Sequence, residues 1–288
     1  MKEDMKYYIL SIILLFFSCS EVCDSDVYEI KIPKGTNQKE LLLSSFVENI
    51  KIVSLETKDE CLISQIDKIR IFKDEIYILD KMSNAVFIYG IDGKHHRTLF
   101  KVGNGPGEYL QLMDFDIWGN QLFVLDFGGR NILKYDCKLN YINKIKNPNF
   151  STQILVNNGF CRIRFEGKEF PDDRNIEEQN VNDQEFDYIV KNNYYVFDRY
   201  FIFDYLVQDQ RVFCVLDRSN NQLNAGVVKN DLIQDYRFFP RWGDKNYLVE
   251  EINAGILCEY FPDFLKSMDL EKLSFNDNPV ILIYEIKK

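Results

Sequence analysis

The sequence predicts an all-β protein whose strands form a single β-propeller. Two near-copies of one strand pattern, Ile76–Asp80 and Leu122–Asp126, lie 46 residues apart. Each copy is followed by a second strand pattern, at Val86–Gly90 and Ile132–Asp136. An internal repeat of this length, built from short strands, is typical of propeller blades. An aromatic content of 15% fits sheets that pack face to face.

The length of the chain predicts the number of blades. The chain that follows residue 18 is close to six times the repeat length, which predicts six blades of antiparallel four-stranded sheets, with five as the alternative. The pattern returns at Val212–Asp217, after a degraded copy at Gly159–Phe165. We expect the N- and C-terminal strands to share one blade, because a ring must hide its sheet edges.

Short alternating segments predict the strands of the first third of the chain. Residues 36–48 are predicted to form a loop or a weak helix. The charged segment Lys73–Glu75 predicts a hairpin turn, and Asp92-Gly93 predicts a second, because glycine supplies the positive φ of a tight turn. The predicted strands are Val27–Pro33, Ile50–Leu55, Ile66–Phe72 and Ile76–Leu79.

The second half of the chain is predicted to contain strands, one long loop and one short helix. Residues 166–185 are rich in acidic and amide side chains and predict a solvent-facing loop. Residues 262–273 have helical apolar spacing with Pro262 at the start, which predicts a short helical insert. The predicted strands are Tyr194–Phe197, Tyr200–Asp204, Tyr247–Ile252, Ile256–Tyr260 and Val280–Ile286.

The N-terminus predicts export and a lipid anchor. Lys2 and Lys6 precede an uncharged apolar run, Tyr7–Phe17, which ends at Ser18-Cys19. A bilayer-spanning helix needs about 20 apolar residues, so this run fits the core of a signal peptide instead. A small residue directly before cysteine is typical of the cleavage box of bacterial lipoproteins, in which that cysteine is acylated. An ordinary cleaved signal peptide is the alternative.

These features divide the chain into three predicted segments. Residues 1–18 are the lipoprotein signal peptide, residues 19–26 are an acidic tether that begins at the lipidated Cys19, and residues 27–288 are the propeller domain. The predicted location is the cell envelope, with the protein anchored at the outer membrane or the periplasmic face. The lipid anchor makes the membrane a predicted partner.

The charge of the chain excludes some classes of partner. The formal net charge is -10, with 45 acidic against 35 basic residues. Nucleic acids and anionic lipid surfaces are bound by clustered Lys and Arg, so this balance argues against both. It favours neutral or cationic partners.

The remaining cysteines predict free thiols. No CxxC pair occurs, and the chain has only two histidines, so a zinc site has no support. Cys161, Cys214 and Cys258 lie inside apolar segments predicted as strands, where cysteine behaves as a small hydrophobic residue. The full set after Cys19 comprises Cys23, Cys61, Cys137, Cys161, Cys214 and Cys258.

A glycine-rich segment between the two repeats predicts a structural turn. Its glycines permit φ values that other residues avoid, its proline stiffens the turn, and its glutamate can accept backbone N–H bonds. A phosphate-binding loop would need a helix directly after it, and Phe115–Ile117 predicts a strand there instead. The residues of this motif are Gly103, Gly105, Pro106, Gly107, Glu108 and Tyr109.

The chain resembles the six-bladed β-propeller lipoproteins of the Bacteroidota, which are distant relatives of NHL-repeat propellers. Residues 140–210 match the resemblance poorly. In such families the glycine motif belongs to the connection between blades, and most members have no assigned chemistry. The resemblance is carried by the strands of the repeat together with Leu55-Glu-Thr57, Leu62–Ile66, Gly103–Tyr109, Lys229–Leu232 and Asp277–Leu282.

Few residues suggest chemistry. Adjacent residues of a strand point to opposite faces, so His95 and His96 are poorly placed to hold one metal ion, and we interpret both as solvent-side residues. Three aspartates end equivalent strands: Asp80, Asp126 and Asp217. They could line a channel mouth and bind calcium, but we favour a role in fixing the next turn.

The sequence therefore favours a binding or scaffold module over an enzyme. Its expected partner is a glycan, a peptide or another envelope protein, and no cofactor is expected apart from the calcium of the alternative. Trp118 and Trp242 could stack on a sugar or pack between blades. The alternative function is a metal-assisted hydrolase or lyase with carboxylates at a central channel, and a glycosidase with paired acids stays open.

Overall fold

The computed structural model describes residues 39–147, 151–157, 160–165, 190–207, 210–233, 236–244 and 246–288, all within one compact unit of the chain. The predictions for the signal peptide, Cys19, the tether, Cys23, the strand at residues 27–33 and the loop at residues 166–185 lie outside these residues. The structure is all-β with few helices.

The described residues form nineteen strands, which are numbered in chain order. They are β1 (Lys39–Leu42), β2 (Val47–Ser54), β3 (Lys68–Phe72), β4 (Glu75–Asp80), β5 (Ala85–Gly90), β6 (His95–Leu99), β7 (Leu112–Trp118), β8 (Gln121–Asp126), β9 (Asn131–Asp136), β10 (Tyr141–Lys146), β11 (Ser151–Asn157), β12 (Phe160–Phe165), β13 (Val190–Val196), β14 (Tyr200–Val207), β15 (Gln210–Asp217), β16 (Gln222–Lys229), β17 (Trp242–Asp244), β18 (Tyr247–Ile252) and β19 (Val280–Ile286).

These strands form five sheets, each of them open. Strands β3 to β6 form one four-stranded antiparallel sheet, and β7 to β10 form the next. Strands β11 and β12 pair alone in the described part of the chain. Strands β13 to β16 form an antiparallel sheet to which β1 adds a fifth strand, parallel to β16. The fifth sheet has the order β17-β18-β19-β2.

The second strands of the first two four-stranded sheets are buried on both faces. Five of the six residues of β4 are buried, as are five of the six residues of β8. Such strands have almost continuous apolar sequences, because neither face meets water. The edge strand β10 is the opposite case, with its residues exposed or partly exposed. The repeat noticed in the sequence therefore marks the centres of two consecutive sheets.

The C-terminal strand of the described chain pairs with the early strand β2, whereas the strand predicted nearest the N-terminus lies outside the described residues. Strand β2 lies antiparallel to β19, with Ser54 opposite Val280 and Ile50 opposite Tyr284. The loop or weak helix predicted for residues 36–48 is wrong in part. Strand β1 and a short 3-10 helix at Leu43–Ser45 occupy this region, because pairing with the distant β16 overrides the weak local preference.

The strand predicted at Ile256–Tyr260 is also wrong, because this segment is helical. Helix α1 (Ala254–Tyr260) begins at Asn253, whose side chain accepts hydrogen bonds from the backbone N–H groups of Gly255 and Ile256. Helix α2 (Pro262–Ser267) has proline in its first turn and covers the first half of the predicted helical insert. No helix in the described part of the chain is long and apolar enough to cross a membrane.

The strand that comes first in the chain within each of the sheets beginning at β3, β7 and β11, and the edge strand β17 of the fifth sheet, are called first strands here, and they lie side by side. Strand β7 packs beside β3 and β11, and β17 packs beside β3. Apolar side chains fill the space between neighbouring sheets: Tyr77, Leu79 and Val86 of one sheet pack in a cluster with Phe115 and Val124 of the next. The polar side chains of the first strands are therefore brought together from three sheets.

Candidate functional site: a charge cluster on the first strands

Five charged residues converge where the first strands of three sheets meet. Lys68 and Arg70 belong to β3, Asp114 and Asp116 to β7, and Asp244 to β17. We call these five residues the first-strand charge cluster. They form the most extensive group of ion pairs between different sheets in the described part of the chain.

The repeat explains why these residues meet. Side chains two residues apart in a strand point to the same face, so Lys68 and Arg70 share a face, and so do Asp114 and Asp116. Lys68 and Asp114 are 46 residues apart, which is the repeat length seen in the sequence. Equivalent positions of consecutive first strands therefore carry opposite charges.

The ion pairs of the cluster have short, specific contacts. The Nζ atom of Lys68 lies 2.8 Å from Oδ1 of Asp114 and donates to the backbone oxygen of Phe115 at 2.7 Å. The guanidinium of Arg70 bridges two sheets: Nη2 lies 2.9 Å from Oδ1 of Asp116, and Nη1 lies 3.4 Å from Oδ1 of Asp244. Each cation therefore has an acidic partner in a neighbouring sheet.

The two aspartates of β7 also bind the strand on their other side. Oδ2 of Asp114 accepts a hydrogen bond from the backbone N–H of Ile154 at 2.8 Å. Oδ2 of Asp116 accepts one from Val156 at 2.6 Å. The side chain of Asp116 is only 1% exposed and that of Asp114 8%. In each of these buried carboxylates, Oδ1 lies beside a cation of β3 and Oδ2 accepts a backbone hydrogen bond from β11. The two aspartates thus link β7 to the strands on both of its sides.

The chemistry available to the cluster is limited by this pairing. A bound calcium ion needs several free oxygen ligands, whereas the oxygens of Asp114 and Asp116 are already directed at Lys68, Arg70 and backbone amides. Within the residues described, no group of three or more His, Cys, Asp or Glu side chains is placed to hold a metal ion. The cluster is suited to fixing the positions of the first strands.

The repeated aspartates Asp80 and Asp126 bind turns through matched hydrogen bonds. The carboxylate of Asp80 accepts from the backbone N–H groups of Ser64, Gln65 and Ser83 at 2.7–3.3 Å. The carboxylate of Asp126 accepts from the residues at the same offsets, which are Leu110, Gln111 and Gly129, at 3.0–3.1 Å. Both carboxylates are buried. They hold the incoming connection and the following turn together.

Asp217 differs from the other two aspartates in its partner. Its Oδ2 atom accepts from Nε and Nη2 of Arg199 at 3.1 and 2.7 Å, and Oδ1 accepts from the backbone N–H of Ser219 at 3.0 Å. A guanidinium thus replaces the pair of amides seen at the other two sites. The hydrogen bonds from Arg199 lower the pKa of Asp217. Among the residues that the structure describes, the three aspartates do not form a group that could hold one metal ion.

The glycine motif is a tight connection between the first two repeats. Of its three glycines, which all permit such a conformation, only Gly107 has a positive φ, of 76°. The Glu108 side chain packs against Gly103 and Gly105, where a Cβ atom would lie too close to the Glu108 carboxylate. Oε2 of Glu108 accepts from the N–H of Gly105 at 2.7 Å, and Pro106 lies between them. The buried Tyr109 donates its hydroxyl to the carbonyls of Asn84 and Leu99.

The histidines and tryptophans are not brought together. His95 contacts Thr98 through Nε2 at 2.8 Å, whereas Nδ1 of the exposed His96 lies 3.1 Å from Oε1 of Glu75. Trp118 is exposed at the end of β7. The ring of Trp242 lies under the guanidinium of Arg241, 4.6 Å from its centroid.

The thiols only partly fit the prediction of buried cysteines. Cys61 and Cys214 are buried free cysteines. Cys258 is half-buried in α1 instead of a strand, and its thiol donates to the carbonyl of Leu273. Cys137 is exposed on the turn between β9 and β10. Cys161 lies in β12.

A second polar group, which the sequence did not suggest, lies inside the sheet that contains β18. The buried Glu250 carboxylate accepts from the hydroxyls of Tyr236 at 2.6 Å and Tyr284 at 2.9 Å, and from the N–H of Phe239 at 2.9 Å. Burial raises the pKa of Glu250 despite these bonds. Burial also raises the pKa of Glu251 to about 7, although the ion pair with Arg241 opposes this shift.

The comparisons with known proteins support the fold. Residues 27–161, somewhat less than half of the chain, match the sequence model of a family described as "Domain of unknown function (DUF4934)". The crystal structure of a protein described as a "Putative exported protein", from Bacteroides fragilis NCTC 9343, aligns with a TM-score of 0.62. The alignment covers 87% of this chain and 98% of that one at 16% sequence identity, so it shows similarity of fold alone.

Two further solved structures align much less well. The Pan2 WD40 domain of Neurospora crassa has a TM-score of 0.25 at 10% identity, over 64% of this chain and 41% of that one. The computationally designed protein Ika8 has a TM-score of 0.26 at 10% identity, over 77% and 59%. Scores this low carry no argument about this chain. No curated protein matches the sequence at a significant level.

The sequence contains a signal for the first-strand charge cluster that its strand patterns did not reveal. Aligning the chain on its 46-residue spacing places Lys68 over Asp114 and Arg70 over Asp116. The opposite charges become visible only in this alignment. Asp244 has no such signal, because its neighbour in the fold is more than 170 residues away in the chain.

Proposed function

We propose that this chain is an exported protein of the cell envelope that acts as a binding or scaffold module. Its partner would be a glycan, a peptide or another envelope protein. The similarity of fold to a protein described as exported supports the location. The net charge of -10 supports a neutral or cationic partner and opposes nucleic acid.

The pairing of the ionisable side chains at the first strands is the observation that carries this proposal. The first-strand charge cluster directs its acids at Lys68, Arg70 and backbone amides. Catalysis by a carboxylate requires an acid that can reach a substrate or activate a water. Carboxylates that pair with cations and backbone amides of neighbouring strands are better suited to holding a scaffold in shape than to catalysis.

The architecture proposed for this platform is a β-propeller in which each sheet is one blade. The neighbouring first strands of four sheets support it, and the five sheets of the described part of the chain favour five blades over the six predicted from length. The pairing of β2 with β19 supports closure of the ring by the chain termini. A kinship with NHL-repeat propellers remains part of this proposal.

The lipid anchor at Cys19 is a proposal that can be tested in cells. Cells that express the full chain are fed an alkyne analogue of palmitate, and the protein is isolated and coupled to a fluorescent azide. We expect labelling of the wild-type chain, loss of label in Cys19→Ser and full label in the matched control Cys23→Ser. An unlabelled wild-type chain would contradict the anchor while leaving the binding function open.

A thermal-shift panel tests the binding function. The full chain, purified in a mild non-ionic detergent, is heated with a set of glycans, basic peptides and neutral peptides. A ligand at about 100 times its Kd adds about 2.7 kcal/mol to the free energy of unfolding, which gives a clear rise in Tm. A saturable rise with one class identifies the partner class. Turnover of a glycan or peptide by the purified chain would contradict a purely binding role.

The alternative is a calcium-dependent hydrolase or lyase that uses acids near the first strands. The proximity of Lys68 and Arg70 to those acids weakens it, because a divalent cation would be repelled by both side chains. Calcium added to chelator-treated protein provides the test. An increase in Tm with calcium, lost in Asp116→Asn, would favour the alternative.

A further inference from the structure

A cleft at the edge of the interface between the first two four-stranded sheets has an unusual charge. It has a volume of about 370 Å³, lies beside the C-terminal ends of β3 and β9, and is lined by no residue of the first-strand charge cluster. Its lining contains three cations and one acid, whereas the whole chain carries a charge of -10. The lining residues that matter here are Lys73, Glu75, Tyr77, Arg97, Cys137 and Lys138.

The cleft contains a bidentate ion pair between Arg97 and Glu75. Nη1 and Nη2 of Arg97 donate to the two carboxylate oxygens of Glu75 at 2.6 and 2.7 Å, and the hydroxyl of the buried Tyr77 donates to Glu75 at 2.9 Å. Burial raises the pKa of Glu75, but the hydrogen bonds from Arg97, His96 and Tyr77 outweigh it and lower the pKa to about 2. Glu75 is therefore ionised and balances the charge of Arg97.

The rim of the cleft carries two lysines that this ion pair does not neutralise. Neither Lys73 nor Lys138 forms an ion pair with another residue that the structure describes. The nearby acid Asp136 directs its carboxylate at the N–H groups of Lys138 and Asn140, and at the Asn140 amide. The Nζ atom of Lys73 lies 5.5 Å from the centroid of the Phe72 ring. Two lysines thus line one concave surface without an ion pair to another described residue.

We propose that this cleft binds the carboxylate or phosphate group of a small molecule between Lys73 and Lys138. The volume is at the lower end of the range for small-molecule sites, and the apolar rings of Phe72 and Tyr77 lie beside the two cations. The net positive lining concentrates anions locally although the protein as a whole repels them. This site is independent of the partner proposed above and uses none of its residues.

The exposed thiol of Cys137 is a built-in reporter for occupancy of the cleft. Iodoacetamide alkylates a cysteine thiolate by displacing iodide, and a bound ligand that covers the thiol slows this reaction. Peptide mass spectrometry measures alkylation at Cys137 alone, so the other cysteines need no substitution. The full chain is treated with neutral iodoacetamide in rising concentrations of sodium phosphate or sodium succinate, with sodium chloride added to keep the ionic strength constant.

We expect saturable protection of Cys137, by at least threefold, with phosphate, succinate or both. Protection by one alone identifies the anionic group. The double variant Lys73→Met/Lys138→Met should lose the protection, whereas the matched control Lys266→Met on α2 should keep it. Equal alkylation rates in all three salts would overturn the proposal, as would protection that survives in the double variant. Because this readout is local to Cys137, its failure leaves the binding function proposed above intact.

A second measurement tests the charge of the cleft directly. Iodoacetate carries a negative charge and otherwise reacts as iodoacetamide does. At Cys137 we measure the alkylation rate with iodoacetate divided by the rate with iodoacetamide, and we normalise this ratio to its value in the urea-unfolded chain. We expect the normalised ratio to exceed about 3 at low salt and to approach 1 near 1 M salt, where the charges are screened. A normalised ratio of 1 or less at low salt would overturn the proposal. Circular dichroism of the double variant confirms that its fold is retained.

Discussion

Lys68 and Asp114 hold the same position in consecutive repeats, and their side chains form an ion pair of 2.8 Å. The next pair of equivalent residues, Arg70 and Asp116, is joined in the same way at 2.9 Å. A repeat that alternates charge sign between neighbouring copies links those copies directly. The sheet of β3 to β6 is thereby fixed to the sheet of β7 to β10 by ion pairs as well as by apolar packing.

The coupling between Lys68 and Asp114 can be measured with a double-mutant cycle. Asp114→Ala leaves the ammonium of Lys68 and the N–H of Ile154 without their partner, so we expect a loss of about 3 kcal/mol in the free energy of unfolding. Lys68→Met should be destabilising as well. Urea unfolding of both single variants and the double variant should give a coupling energy of about 1–3 kcal/mol.

An exposed ion pair provides the control for this cycle. Lys229 and Glu40 lie 2.8 Å apart, but their side chains are 61% and 54% exposed. Their coupling energy should stay below about 1 kcal/mol. Equal coupling in the buried and exposed pairs would show that the charge cluster adds no more than a surface salt bridge does.

Asp80 and Asp126 should respond differently to asparagine. Asp80 uses both oxygens to accept hydrogen bonds, so in Asp80→Asn the amide group must face an N–H or hydroxyl donor. At Asp126 all three backbone N–H groups donate to Oδ1, and the side-chain oxygen of asparagine can accept the same three hydrogen bonds. We expect Asp80→Asn to lose about 1–2 kcal/mol more than Asp126→Asn in urea unfolding. The alanine variants at both positions should be similar, and an equal effect of the two asparagines would refute this explanation.

Gly107 should tolerate no side chain. Its φ is 76°, and an added Cβ would lie 2.6 Å from Cβ of Tyr141. Gly119→Ala is the matched control, because Gly119 has a φ of 56° with open space around it, so it measures the backbone strain alone. We expect that control to lose about 1–2 kcal/mol and Gly107→Ala to lose at least about 1 kcal/mol more. Thermal unfolding followed by circular dichroism would detect the difference, and equal Tm values would contradict the steric argument.

Glu251 should make the protein less stable as the pH rises from about 4.5 to 7. Burial raises its pKa in the folded state from 4.5 to about 7, so the folded chain holds a proton that the unfolded chain has lost in this range. The free energy of unfolding therefore falls with rising pH, by about 3 kcal/mol for this group. Glu251→Gln should lack this contribution, so its stability relative to wild type should rise between pH 4.5 and pH 7.

The measurement for Glu251 is the urea midpoint at several pH values. The exposed Glu259→Gln on α1 serves as the control and should keep the pH dependence of the wild type. If Glu251→Gln and the wild type change in parallel, the carboxyl of Glu251 titrates normally in the folded state and the burial argument fails.

The strands of the repeats could be predicted because each carries its own pattern. Strands β4 and β8 are short apolar runs that end in aspartate, and the turns around them contain glycine or charged residues. The pairing of β2 with β19 followed from the need to hide sheet edges. Helix α1 escaped prediction because its apolar residues also fit an alternating strand, and the capping side chain of Asn253 was overlooked. Strand β1 depends on a partner far along the chain.

The polar sites were harder to predict than the strands. A carboxylate that ends a strand predicts a turn, and Asp80 and Asp126 have this role in the structure. The partners of Arg70 and Glu250 come from several sheets, so no local pattern contains them. The two rim lysines of the cleft lie on separate turns, which the folded chain alone brings to one surface.

The pairing of β2 with β19 determines when the protein can finish folding. The ribosome makes β2 more than 220 residues before its hydrogen-bonding partner β19. Until then the edge of β2 is unprotected, and contacts of such long sequence separation form slowly. This sheet can therefore be completed only after the whole chain between β2 and β19 has been made. Chaperones that protect unpaired strand edges are therefore expected to raise the yield of folded chain.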